Sequence, residues 1–142
     1  LMARLATRIT AAEIEEVRAV AQREQQALRG HEQSAAIRAS AAFHARLAEL
    51  AGNQTLAPFV AQLCSRSSLI LAVYGHSGDL GCDCNDHNHL VDLLEARDSD
   101  GAAAFMHRHL HAIESSLSIE EAVDETPDLR DVFAAYPQES AR

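Results

Sequence analysis

Histidine is the residue type with the most chemistry to explain here. Eight occur in 142 residues, at positions 31, 44, 76, 87, 89, 107, 109 and 111. A neutral imidazole can hold a divalent ion or carry a proton, so histidines that converge suggest a metal site or acid–base chemistry. Three cysteines stand at 64, 82 and 84. The run Cys82-x-Cys84-x2-His87-x-His89 could hold zinc on paper, but its spacing is tighter than common zinc motifs. It reads better as a polar loop leading into a helix, with Asp83-Cys84-Asn85-Asp86 able to cap the next one. No Ser/His/Asp or Cys/His arrangement and no Gly-rich phosphate loop is visible.

The elements that position these side chains are helices. Ala, Leu, Glu, Gln and Arg dominate, prolines stand only at 58, 127 and 137, and no stretch alternates with period two. Leu1 to Thr7 reads as helix. Thr10-Ala11-Ala12-Glu13 forms a capping box, opening a helix to about Leu28 that stops at Gly30; its stripe is Ile14, Val17, Ala21 and Leu28. A second helix spans about Glu32 to Ala51 and stops at Gly52-Asn53. A third spans about Gln54 to Tyr74, with Pro58 tolerated in its first turn. Gly75 to Asn85 reads as a loop, Asp86 to Arg97 as a helix, and Asp98-Ser99-Asp100-Gly101 as a turn. A last long helix then runs to about Leu117.

Residues three or four apart share a helix face. On that rule His44 lies on the stripe Ile37, Ala41, His44, Ala48, Ala51, flanked by Ser40 and Leu47. His87 lies with Leu90, Val91 and Leu94. His109 lies with Ala102, Met106 and Ile113. His107 and His111 fall on the opposite face, about 200° around for His111, and are expected to meet solvent. Three helices thus each turn one histidine inward. Each ring has two nitrogens to satisfy, and apolar stripes supply few partners. One shared divalent ion would satisfy a nitrogen on each ring, in the manner of an accessible rather than a closed site. Core histidines that hydrogen-bond to protein groups are the alternative. No carboxylate is expected on an inward stripe beside them; Glu49 and Asp92 fall off the stripes.

Composition narrows the partners. Twelve Lys+Arg against 21 Asp+Glu give a formal charge of −9. Such a chain is a poor binder of phosphate backbones or anionic membranes by itself. No apolar run approaches the ~20 residues of a membrane span. Three cysteines are too few for a disulfide scaffold, so a cytoplasmic location is expected.

The motifs around the histidines resemble a known family. Phe43-His44-x-x-Leu47-x-x-x-x-Gly52-Asn53 resembles the FH-x-x-L-x-x-x-x-GN signature of the FCD effector-binding domain, found in the FadR subfamily of GntR-type transcriptional regulators. Asp86-His87-x-x-Leu90 is similar to its acidic-His-x-x-(Ile/Leu) helix, and Met106-x-x-His109-Leu110 to its closing Met-x-x-His-Leu helix. The resemblance covers roughly residues 3 to 118. It implies an all-α, antiparallel bundle of six or seven helices around a central ligand or metal cavity. It also implies a homodimer, a small carboxylate effector, and Zn²⁺ or Ni²⁺ held by His44, His87 and His109. Ser40 stands where the family places a carboxylate or amide ligand. Arg66, 13 residues after Asn53, matches an arginine common on the family helix that could pair with the effector carboxylate. Ser40 and Tyr74 are further effector-binding candidates.

The implied organisation is a sensing and dimerisation domain over 1–118 and an acidic C-terminal extension over 119–142, with room for one short helix. Operator DNA would be reached only through an N-terminal winged-helix domain. The opening Leu1-Met2-Ala3-Arg4, already in helical rhythm, reads as part of a longer protein. The expected role is non-catalytic. A small metalloenzyme whose three-histidine site activates water for hydrolysis, and a metal-free structural dimerisation module, are the alternatives.

Overall fold

The computed structural model describes residues 1–74 and 85–116. Six helices build it: α1 (Met2–Ala6), α2 (Ala11–Arg29), α3 (Gln33–Leu50), α4 (Leu56–Tyr74), α5 (Asp86–Glu95) and α6 (Ser99–Ser116). No strand occurs among the described residues. The all-α expectation is met.

Local chemistry sets the helix ends. The Thr10 hydroxyl accepts the Glu13 N–H at 3.3 Å, while the Glu13 carboxylate accepts the Thr10 N–H at 2.7 Å, completing the capping box of α2. The end of α2 differs in detail from the expectation. Gly30 keeps an ordinary φ, and His31 takes the left-handed conformation at φ 57°. The N–H groups of Glu32 and His31 return to the carbonyls of Ala27 and Leu28, closing the helix. At the end of α3 the left-handed residue is Gly52, φ 71°, where a Cβ would lie 2.2 Å from the Arg8 guanidinium.

Two other boundaries shift. Asn53 Oδ1 accepts the Leu56 N–H at 3.0 Å, so α4 begins two residues later than read from Gln54. The predicted turn at 98–101 is the first turn of α6, because the Asp98 carboxylate caps the Gly101 N–H at 2.8 Å. α5 stops at Glu95, with Arg97 left-handed at φ 62° and its guanidinium donating to the Ala6 carbonyl at 3.0 Å.

The core is built from α1, α2, α3, α5 and α6 around fully buried Leu5, Ile9, Val17, Phe43, Leu47, Leu90, Val91 and Leu94. α2 packs on α3 and α5, and α5 packs also on α1 and α6. Short connections make α2–α3 and α3–α4 helical hairpins. Arg18 ties α2 to α5 through Asp92 and Glu95, each at 2.7 Å, and Arg46 ties α3 to Glu16 of α2 at 2.7 Å. Among the described residues α4 packs on α3 alone.

Candidate metal centre

Three inward stripes meet at one point. His44 of α3, His87 of α5 and His109 of α6 approach until their candidate ligand atoms all lie within 4.8 Å of one another. His87 Nε2 stands 3.2 Å from His44 Nε2 and 3.0 Å from His109 Nε2. Nitrogens bound to one ion at about 2.0–2.1 Å sit roughly 3 Å apart, so the spacing suits a shared divalent ion. His87 and His109 are buried, and His44 is half-buried. Phe43 stacks on the His87 ring with centroids 4.3 Å apart, fixing its plane.

The outer nitrogens sharpen the case. His87 Nδ1 contacts the Glu24 carboxylate, and His109 Nδ1 lies 3.1 Å from Asp86 Oδ2. A carboxylate accepts a proton's hydrogen bond and offers none when ionised, so each partner favours the Nδ1–H tautomer. With both carboxylates ionised, that tautomer places two unprotonated Nε2 atoms 3.0 Å apart. A cation between them would convert repulsion into coordination, and a carboxylate behind the ring is the usual support of a metal-bound histidine. Burial, then the neighbouring His87 and His109, push the pKa of His44 down to about 3. Burial and His109 likewise push His87 down to about 3. Both rings are therefore neutral near pH 7, the form able to ligate an ion. Burial drives the Glu24 carboxyl the other way, up to about 7, against the opposing Ser40 hydrogen bond.

Glu24 and the supporting role of Asp86 correct the expectation that no carboxylate would lie beside the histidines. Glu24 is 6% exposed and hydrogen-bonds with Ser40. The signal was present: 24 continues the stripe 14, 17, 21, 28 and is its charged member. Asp86 serves His109 instead of capping α5, and Asn85 accepts from Gln25 Nε2 at 3.2 Å without capping the helix. The off-stripe pair Glu49 and Asp92 holds Arg46 and Arg18.

A cavity of about 540 Å³ opens beside the rings between α3, α4 and α6. Ser40 and His44 form its polar corner, with Ile37, Leu47, Val60, Leu63, Leu71, Met106, Leu110 and Ile113 among its apolar walls. No Asp, Glu, Lys or Arg lines it among the described residues. Arg66, expected at the effector, is exposed and does not line this cavity. The α4 wall is carried by Val60, Leu63, Cys64, Ser67, Ser68 and Leu71, and residue 66 lies about 200° from residue 64 on the helix. His107 is exposed as expected but also edges the cavity, while exposed His111 pairs with Glu114 at 3.3 Å. His89 packs edge-on to Phe105, whose ring in turn lies parallel to His109 with centroids 6.3 Å apart. Burial raises the pKa of the half-buried Cys64 thiol, which keeps it protonated. The Tyr74 side chain, His76, Cys82, Cys84 and the 119–142 extension lie outside the described residues.

Residues 1–112 match the FCD domain family. No curated protein and no solved structure matches the chain.

Proposed function

The chain belongs to the FCD domain family, the ligand-binding part of GntR-family regulators, and we propose that it senses a small organic acid through a divalent metal. His44, His87 and His109 would hold Zn²⁺ or Ni²⁺. The observation that carries this reading is the pair of Nε2 atoms 3.0 Å apart whose opposite nitrogens are each backed by a carboxylate. The ion would give the acid's carboxylate a cationic partner, which the described cavity wall lacks. Ser40 and His44 would orient that polar end, and the apolar wall would exclude water from the rest. The effector is therefore an acid with an apolar body rather than a polyhydroxylated one.

The same wall supports a sensor over a hydrolase. Glu24 and Asp86 sit behind histidine rings, and neither lines the cavity where a general base would face an attacking water. In this reading the domain forms a homodimer of a FadR-subfamily regulator in the cytoplasm. Acid binding changes how an N-terminal winged-helix domain engages operator DNA. No helix among the described residues is long and apolar enough to cross a membrane.

A thermal-shift series of organic acids on chelated and Zn²⁺- or Ni²⁺-loaded protein tests it. A ligand at a hundred times its Kd stabilises the native state by about 2.7 kcal/mol. Apolar-bodied acids should raise Tm in loaded protein and leave chelated protein unmoved. A chain that takes up no metal, or acid binding indifferent to metal, overturns the reading. Turnover of simple esters or lactones by the loaded protein would favour the enzyme instead.

A further inference from the structure

Three neutral imidazoles bring no negative charge to a buried divalent ion, and the hydroxyl of Ser40 is a poor ligand for one. A carboxylate nonetheless reaches this place from another helix. Glu24 interrupts the otherwise apolar inward stripe of α2, and its side chain is 8% exposed. Burying a carboxylate is costly unless something compensates it. Its contacts are the Nδ1 side of His87 and Ser40. Neither is a fixed cation, so the compensating charge is absent from these two partners. One imidazole away is the point where the three histidines converge, where a bound cation would supply that charge.

We propose that Glu24 is a positioning residue that supplies anionic support to the metal centre from α2, through His87, with Ser40 holding the carboxylate in place. The proposal rests on the metal reading above. Position 40 then serves the ion through Glu24 and need not ligate it. His87 becomes the ring whose basicity and orientation the carboxylate sets.

The test is Zn²⁺ affinity of the purified full chain, measured by competition with a chromophoric chelator, together with the Tm of metal-free protein. Glu24→Gln keeps the shape and a hydrogen-bond acceptor for His87 while removing the charge. It should weaken Zn²⁺ binding by about ten- to a hundredfold, and leave the metal-free Tm unchanged or higher, because a buried charge has gone. Adding Ser40→Asp in the Glu24→Gln background should recover at least tenfold of the lost affinity, since it returns a carboxylate to the same neighbourhood. A role confined to packing gives the opposite pattern: lower metal-free Tm, unchanged affinity and no rescue. That pattern, or wild-type affinity in Glu24→Gln, overturns the proposal while leaving the three-histidine reading intact. Wild-type protein that binds no Zn²⁺ overturns both.

Discussion

The histidine centre and helix α4 are built by opposite rules. Every element of the centre is held from several sides: α5 packs on α1, α2 and α6, Phe43 stacks on His87, and carboxylates back two of the three rings. α4 rests on α3 alone among the described residues and leaves Phe59 60% and Leu69 68% exposed. Both border the same chamber. The polar corner at Ser40 and His44 stands on α3, which packs on α1, α2 and α4, whereas the α4 wall has a single packed neighbour among the described residues and would shift at less cost to the main core. Elements with few packed neighbours are where opening costs least. The proposed acid would bind through a rigid metal corner and be accommodated by an adaptable apolar wall. The exposed α4 face also offers the apolar surface that the proposed homodimer needs.

Removing a ring should give the largest effect and would break the comparison at its rigid end. His87→Ala or His109→Ala is expected to lower Zn²⁺ affinity by more than the ten- to hundredfold that supporting residues typically carry. Far-UV circular dichroism should remain helical, because the hydrophobic cluster stays in place. Unchanged metal content in either variant would remove these rings from the centre.

A paired truncation compares the two regions directly. Leu94 is fully buried on α5, and Leu94→Ala should cost about 2–5 kcal/mol in urea unfolding. Leu69→Ala deletes a similar side chain from α4 and should change protomer stability by about 0.5 kcal/mol or less, as exposed substitutions do. Equal losses would mean that Leu69 is covered in the folded protomer. Sedimentation of Leu69→Ala would show separately whether this face joins two copies.

The contrast explains what could be read in advance. The three converging histidines were legible because each falls on a 3.6-period apolar stripe, and such a stripe has to face a core. Glu24 shares that period but is harder to read, since a charged residue on a stripe looks like an interruption until its partner is known. His87 lies 63 positions away, and no local spacing joins them. Helix ends were legible to within a few residues, with local chemistry deciding the rest. At the end of α2 the left-handed position fell to His31 instead of Gly30, and the Asp98 carboxylate turned an apparent loop into the first turn of α6. The α4 face was the least legible. A stripe of apolar residues says that something covers it, not which element does, and the resemblance that puts Arg66 at the effector carries no information on which face of α4 borders the cavity.

A subtler prediction concerns pH in the metal-free protein. His44 and His87 are depressed to about 3 in the fold from an ordinary value near 6.5. Each contributes stability that is present above about pH 6.5 and is lost as pH falls toward 3. Glu24 works the other way: its pKa is raised from 4.5 to about 7, so its contribution is full below 4.5 and is lost as pH rises through 7. Between pH 4.5 and 6.5 the unfolded chain takes up protons on both histidines, while the native state holds the extra one on Glu24. The two histidines outweigh the one carboxyl, and stability should rise with pH across that window. Urea titrations of chelated protein at three or four pH values would measure the slope. A flat or falling stability would mean that the rings are not buried as neutral ligands.

The smallest expected effect is at Arg66, and it tests the adaptable wall most sharply. A guanidinium that paired bidentately with the effector would be worth a large share of the affinity. Its exposure and its absence from the cavity lining argue against that pairing. Arg66→Ala should change the affinity of the metal-loaded protein for an acid found in the thermal-shift series by less than about twofold, within the ±0.5 kcal/mol expected of exposed substitutions. Leu71→Asn, on the face of α4 that lines the cavity, should weaken the same acid more than Arg66→Ala does, because it sets an unpaired amide against the apolar body of the ligand. A tenfold loss in Arg66→Ala alone would show that α4 turns on binding to bring its arginine inward. The contrast between a fixed corner and an adaptable wall would then become a contrast between a fixed corner and a moving one.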